Sequence, residues 1–221
     1  MNETFNPFNP TRYEHDRSPL IWVSEAARSL EKGKSAYVCG TRGSGKTSLL
    51  KSLDWKERLY NTTLRRQIND ENWKFISAYF RIPDHVSQAI DHIDWQAVAP
   101  NAPSHETLGF HYFATLIEVV AAAQLIESIE QLRLKKCINI TATNALKICN
   151  VVFNYLPRIE KASTDSALGL AELSQLLVNY YRTMNIRTVR GQIEAMLEDM
   201  PVTEPGRFLQ ELVDKIGALE E

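Results

Sequence analysis

Apolar residues recur along this chain at two different spacings, and the change from one to the other divides it. Ser35-Ala36-Tyr37-Val38-Cys39 is short, apolar and β-prone, as a buried parallel strand should be, and Gly33 stops whatever precedes it. Trp73 to Arg81 is the second predicted strand, its aromatic and β-branched content too dense for a surface helix, and Ile82-Pro83-Asp84 ends it. Between them, Ser48 to Tyr60 carries Leu49, Leu50, Leu53 and Leu59 at roughly helical spacing.

After residue 84 no further strong strand pattern occurs, and the spacing is helical throughout. Ser104 is expected to cap a long helix to about Lys136, and Ala142 to about Ile159 forms another, bent or ended at Pro157. Ala167 to Met184 and Val189 to Met200 predict two more. Thr203 is expected to cap a last helix in which Phe208, Leu209, Leu212, Val213, Ile216 and Leu219 share a face. At the other end, residues 1–18 are polar and rich in Asn and Pro, which predicts an extended arm, and Ser24 to Lys32 reads as a short helix closed by Gly33.

With 221 residues the chain suffices for one large domain with a sizeable core. Formal net charge is -2, so no basic field advertises nucleic acid, and Arg65-Arg66 or Lys135-Lys136 read as solvated helix faces. Three widely spaced cysteines, Cys39, Cys137 and Cys149, are expected to be reduced and buried. The start Met-Asn-Glu-Thr-Phe-Asn-Pro lacks the basic and apolar regions of a secretory signal, which predicts a cytoplasmic protein. Phe110 to Ile129 is the most apolar stretch. His111, Glu118, Gln124 and Glu127 interrupt it, so it reads as a buried helix rather than a membrane span. The spacing of His85, His92, His105 and His111 fits surface histidines better than a metal site.

The chemistry is concentrated at Gly40-Thr41-Arg42-Gly43-Ser44-Gly45-Lys46-Thr47, an uninterrupted G-x-x-x-x-G-K-[ST] between a predicted strand and a predicted helix. Glycines permit backbone angles at which successive N–H groups wrap a polyphosphate. Lys46 would add a cation on the outer phosphates of ATP, and the Thr47 hydroxyl would ligate Mg²⁺. Thr41, Arg42, Ser44 and Ser48 complete the stretch that would line the nucleotide. The fold class this implies is α/β, a P-loop NTPase αβα core with an incomplete parallel sheet and a large helical insertion or extension. Residues 1–18 would be the arm, 19–84 the first half of the core, and 85–221 the helical region.

The loop with Ser48-Leu49-Leu50 after it, preceded by a short helix and Tyr37-Val38-Cys39, resembles the AAA+ ATPases of the origin-recognition type and the related STAND ATPases. The opening Asn6-Pro7-Phe8-Asn9-Pro10-Thr11-Arg12-Tyr13-Glu14 with Pro19-Leu20-Ile21-Trp22 is similar to a bacterial branch of such ATPases, several of which sit in anti-phage defence loci. The resemblance covers roughly residues 5–55, and past Arg81 it rests on the order of elements alone. It implies that the segment from Pro10 to Trp22 covers the adenine, where Arg12, Tyr13 and Trp22 either contact the base or pack the arm. It also implies a homo-oligomer or a partner protein whose assembly the nucleotide state switches.

One departure stands out. Hydrolysis in this class needs an apolar strand ending in an acidic pair, and no run of four apolar residues followed by Asp occurs after the loop. Asp84 follows Pro83 and fits a turn better. Asp214-Lys215-Ile216-Gly217 matches a GTPase motif only superficially, because its flanks repeat at helical spacing. On this reading the chain is an N-terminal portion leading toward that strand, with little turnover by itself. Two other functions stay open: a nucleotide or small-molecule kinase, and a non-hydrolysing ATP-binding scaffold that holds a partner through its helices.

Overall fold

The computed structural model describes residues 30, 37–41, 43–60, 75–80, 93–94, 105–156, 159, 169–189 and 204–217. The chain divides into two compact units, Met1–Tyr79 and Phe80–Glu221. The predicted arm and the helices expected at 24–32 and 189–200 fall almost wholly outside the described residues.

In the first unit the helix expected over residues 48–60 is two helices, α1 (Lys46–Lys51) and α2 (Trp55–Tyr60). The interruption has a local cause. The Ser52 N–H is shared between the carbonyls of Ser48 (3.0 Å) and Leu49 (3.2 Å), and the N–H groups of Leu53 and Asp54 reach only three residues back, to Leu50 and Lys51. The last turn of α1 therefore tightens. The Ser52 hydroxyl also donates to Leu49 O at 2.6 Å, an alternative to helix continuation that serine offers readily. Asp54 then restarts the helix, its Oδ1 accepting from Lys56 N at 3.1 Å.

The α/β expectation is overturned among the described residues, where there is neither a strand nor a sheet. Tyr37 to Cys39, read as a buried strand, has Tyr37 98 % exposed and Cys39 exposed. A central parallel strand is covered on both faces. Residues 75–80, read as the second strand, are half-buried and carry no ladder. Strand-like composition supplies side chains suited to a sheet, whereas the sheet itself requires a partner's N–H and C=O groups.

The second unit is helical: α3 (His105–Leu134), α4 (Ala142–Tyr155), α5 (Leu170–Val189) and α6 (Arg207–Gly217). Helix α3 is its axis. Every residue from Glu118 to Ala123 is buried, so this helix has no solvent face there and must be covered from all sides. Helix α5 packs along α3, α6 packs on α4 and α3, and α4 touches α5. Tyr112, Leu116, Ile126, Ile129, Ile148, Leu173, Leu177 and Phe208 fill the core. By length and composition Leu108–Leu134 is sufficient to cross a membrane, with mean hydropathy 1.5, contrary to the sequence reading; 61 % of its most apolar window is buried inside the protein.

The helix boundaries follow from local chemistry. Thr141 caps α4, its hydroxyl accepting from Asn144 N at 3.2 Å. Helix α4 stops at Tyr155, and Leu156 (φ -115, ψ 82) leaves the helical region as a residue before proline is forced to do. Helix α3 ends in a Schellman motif, with Cys137 N to Leu132 O at 2.9 Å and Lys136 N to Arg133 O at 3.0 Å. On α6 the predicted face is only partly buried: Phe208 and Leu212 are inside, and Val213 is 47 % exposed. Asp214 to Gly217 lies within this helix, as its periodicity implied. Of the cysteines only Cys149 is buried, where burial raises its thiol pKa; Cys137 lies in the exposed turn after α3.

Candidate phosphate-binding site

The G-x-x-x-x-G-K-[ST] stretch occupies the approach to α1 and its first turn. Gly43 (φ 85) and Gly45 (φ 82) both adopt left-handed backbone, which a side chain would strain. At Gly40 a Cβ would stand 2.5 Å from the Ser44 hydroxyl, so the Ser44 side chain would have to turn aside. The loop closes on itself through Ser44 N to Thr41 O at 3.2 Å, and Leu49 N to Gly45 O at 2.9 Å opens the helical bonding. Gly45 is the N-cap and has no side chain with which to cap the first turn. Those N–H groups have no acceptor within their own helix.

Lys46 turns back over the loop. Its Nζ donates to Gly40 O at 2.6 Å and Thr41 O at 2.8 Å, and lies 3.4 Å from Ser44 Oγ. The cation therefore sits on the side of the loop toward which carbonyl oxygens point, on flexible methylenes that can exchange those neutral acceptors for anionic ones. A charge-assisted bond to a phosphate oxygen is the stronger of the two. Thr47 and Ser48 are the second and third residues of α1 and are half-buried. The structure thus brings Gly40, Thr41, Gly43, Ser44, Gly45, Lys46, Thr47 and Ser48 into one loop and helix start. Arg42, Arg12 and Tyr13 lie outside the described residues.

The loop has the chemistry that an anion-binding arrangement needs. Left-handed glycines, a lysine ammonium and an uncapped helix start fit a polyphosphate, and the Thr47 hydroxyl has the chemistry to ligate the Mg²⁺ that such a ligand carries.

Sequence reasoning missed what holds α1 from behind. Phe75, Ser77 and Tyr79, alternate residues of one extended segment, face the α1–α2 break together. Ser77 Oγ donates to Leu53 O at 2.6 Å and accepts from Trp55 N at 3.1 Å. The Arg58 guanidinium stands 4.6 Å from the Phe75 ring centroid, and the Lys51 ammonium 4.5 Å from that of Tyr79. Arg58 is 4 % exposed and donates through Nε to Ser52 O at 2.8 Å. Lys51 pairs with Asp54 at 3.6 Å and with Glu57 at 3.8 Å. The two-residue alternation of Phe75, Ser77 and Tyr79 was visible in the sequence, but its target was not.

The ORC-CDC6-like family model matches residues 3–220. No curated protein and no solved structure gives a significant match. The family match extends well past Arg81 and takes in the helical unit as well as the loop. By that match, and with the intact loop at its expected place, the chain belongs to the ORC-CDC6-like family, a relationship of the ORC/CDC6-type AAA+ ATPases, which bind nucleotide.

Proposed function

We propose that this protein binds MgATP through Gly40–Thr47 and uses nucleotide state to switch an assembly, either with further copies of itself or with a partner protein. The observation that carries the reading is the loop itself: Gly43 and Gly45 in left-handed backbone, and the Lys46 ammonium folded over Gly40 and Thr41. Lys46, Ser44 and the first-turn N–H groups hold the phosphates. Thr47 would supply the protein's oxygen to Mg²⁺, which would offset the charge of the triphosphate. Arg12 and Tyr13 contact the base.

Nucleotide binding is tested by thermal melting. ATP at one hundred times its dissociation constant is expected to stabilise the first unit by about 2.7 kcal/mol. Lys46→Ala is expected to remove most of that gain while leaving the nucleotide-free melting temperature nearly unchanged, because the Lys46 bonds are exposed. A wild-type protein whose melting is indifferent to millimolar ATP would rule the reading out. The finer reading, a cytoplasmic role in anti-phage defence, rests on the resemblance of the opening residues. Its test is plaque counting on cells that carry wild-type protein or Lys46→Ala, with equal counts overturning it.

A further inference from the structure

We infer that Ser77 is a positioning residue for the nucleotide loop, acting through the α1–α2 break; the inference rests on the nucleotide reading above. Ser77 is 24 residues from Leu53 and 22 from Trp55, and its one hydroxyl joins both sides of the break. It uses its proton on Leu53 O, two residues after α1 ends, and an oxygen lone pair on Trp55 N, the residue that begins α2. Helix α1 is six residues long, fewer than two turns, and nothing from its own side chains caps its start. A helix so short has little cooperative stability of its own. Its placement is therefore set by what grips its C-terminal end.

That grip is one face of residues 75–79. Phe75 lies under the Arg58 guanidinium, Tyr79 under the Lys51 ammonium, and Ser77 between them closes the break. Lys51 is the last residue of the same helix whose first residue is Lys46. The two aromatic contacts are non-directional and tolerate sliding, whereas the paired hydroxyl bonds fix register along the chain. Ser77 therefore holds the register of α1, and with it the position of Lys46 and Thr47 at the other end.

The experiment compares Ser77→Ala, Ser77→Val and Ser77→Thr in the full chain. Valine and threonine have nearly the same shape, and only threonine keeps the hydroxyl. ATP affinity is measured by calorimetry at a temperature where every variant is folded by circular dichroism. Ala and Val are expected to weaken ATP binding about three- to tenfold, the scale of one net hydrogen bond, while Thr stays near wild type. Ala or Val binding ATP like wild type, or Thr weakening as much as Val, would overturn the inference. Amide exchange of Leu49 and Trp55 in nucleotide-free protein separates this from the parent reading. Faster exchange at Leu49, which is not itself bonded to Ser77, in Ala and Val but not in Thr shows that Ser77 orders α1 even where wild-type protein binds no ATP, and unchanged exchange there refutes the inference.

Discussion

Lys136 closes α3 with φ 60, the left-handed conformation that the Schellman motif demands and that lysine adopts only at a cost. Glycine would relieve the steric term but adds freedom to the unfolded chain. The steric term is the larger, so Lys136→Gly is expected to raise stability by up to about 1 kcal/mol, read as a higher urea midpoint at unchanged slope. Asp54 carries a second residue-scale cost. Burial is the largest influence on its carboxyl and raises its pKa above 3.8, against the Lys56 N–H and the Lys51 charge. The folded state therefore prefers the protonated acid, so the penalty is absent below 3.8 and is fully present once the pH exceeds the raised folded value. Asp54→Asn keeps an oxygen for Lys56 N without the buried charge. Its stability relative to wild type should improve as the pH rises above 3.8 and level off once the raised folded value is passed, and a difference independent of pH would count against this account.

At the scale of elements, α6 is held by a residue that no local pattern marks. The expected cap, Thr203, lies outside the described residues, and the acceptor the structure provides is Glu118 on α3, 8 % exposed. Its Oε1 accepts from Gly206 N and its Oε2 from Leu209 N at 3.3 Å, so one carboxylate satisfies two N–H groups at the start of α6. From α4, Tyr155 donates to Glu211 Oε2 at 2.7 Å, and its ring packs 5.6 Å from that of Phe208. Glu118→Ala is expected to cost about 2–3 kcal/mol, the range for hydrogen bonds to a charged group lost in a buried site, and to speed amide exchange across α6. Glu118→Gln should cost less, because one oxygen acceptor remains. In the sequence Glu118 looked like an interruption of an apolar stretch. Only the packing of α6 against α3 makes it a cap.

For the whole molecule, the relationship to the ORC-CDC6-like family runs from residue 3 to residue 220, so it includes the segment from Pro10 to Trp22 that the resemblance implies covers the base. Deleting residues 1–18 is expected to weaken ATP binding and to bring ATP and GTP affinities together, since phosphate contacts do not distinguish the bases. Undeleted protein with equal affinity for both nucleotides would refute that assignment. The loop was legible in the sequence because its chemistry is local: glycines, lysine and threonine within eight consecutive residues determine backbone angles and charge with little help from elsewhere. The same holds for the Thr141 cap and for the end of α4 before Pro157, where near neighbours decide the outcome. The strands were misread because β-propensity describes a fit to a sheet and says nothing about which chain segment supplies the pairing bonds. The grip of Ser77 on the α1–α2 break and the capping of α6 by Glu118 were decided by tertiary structure alone. Each depends on residues 22 to 91 positions apart meeting within hydrogen-bond distance, which no periodicity along the chain encodes.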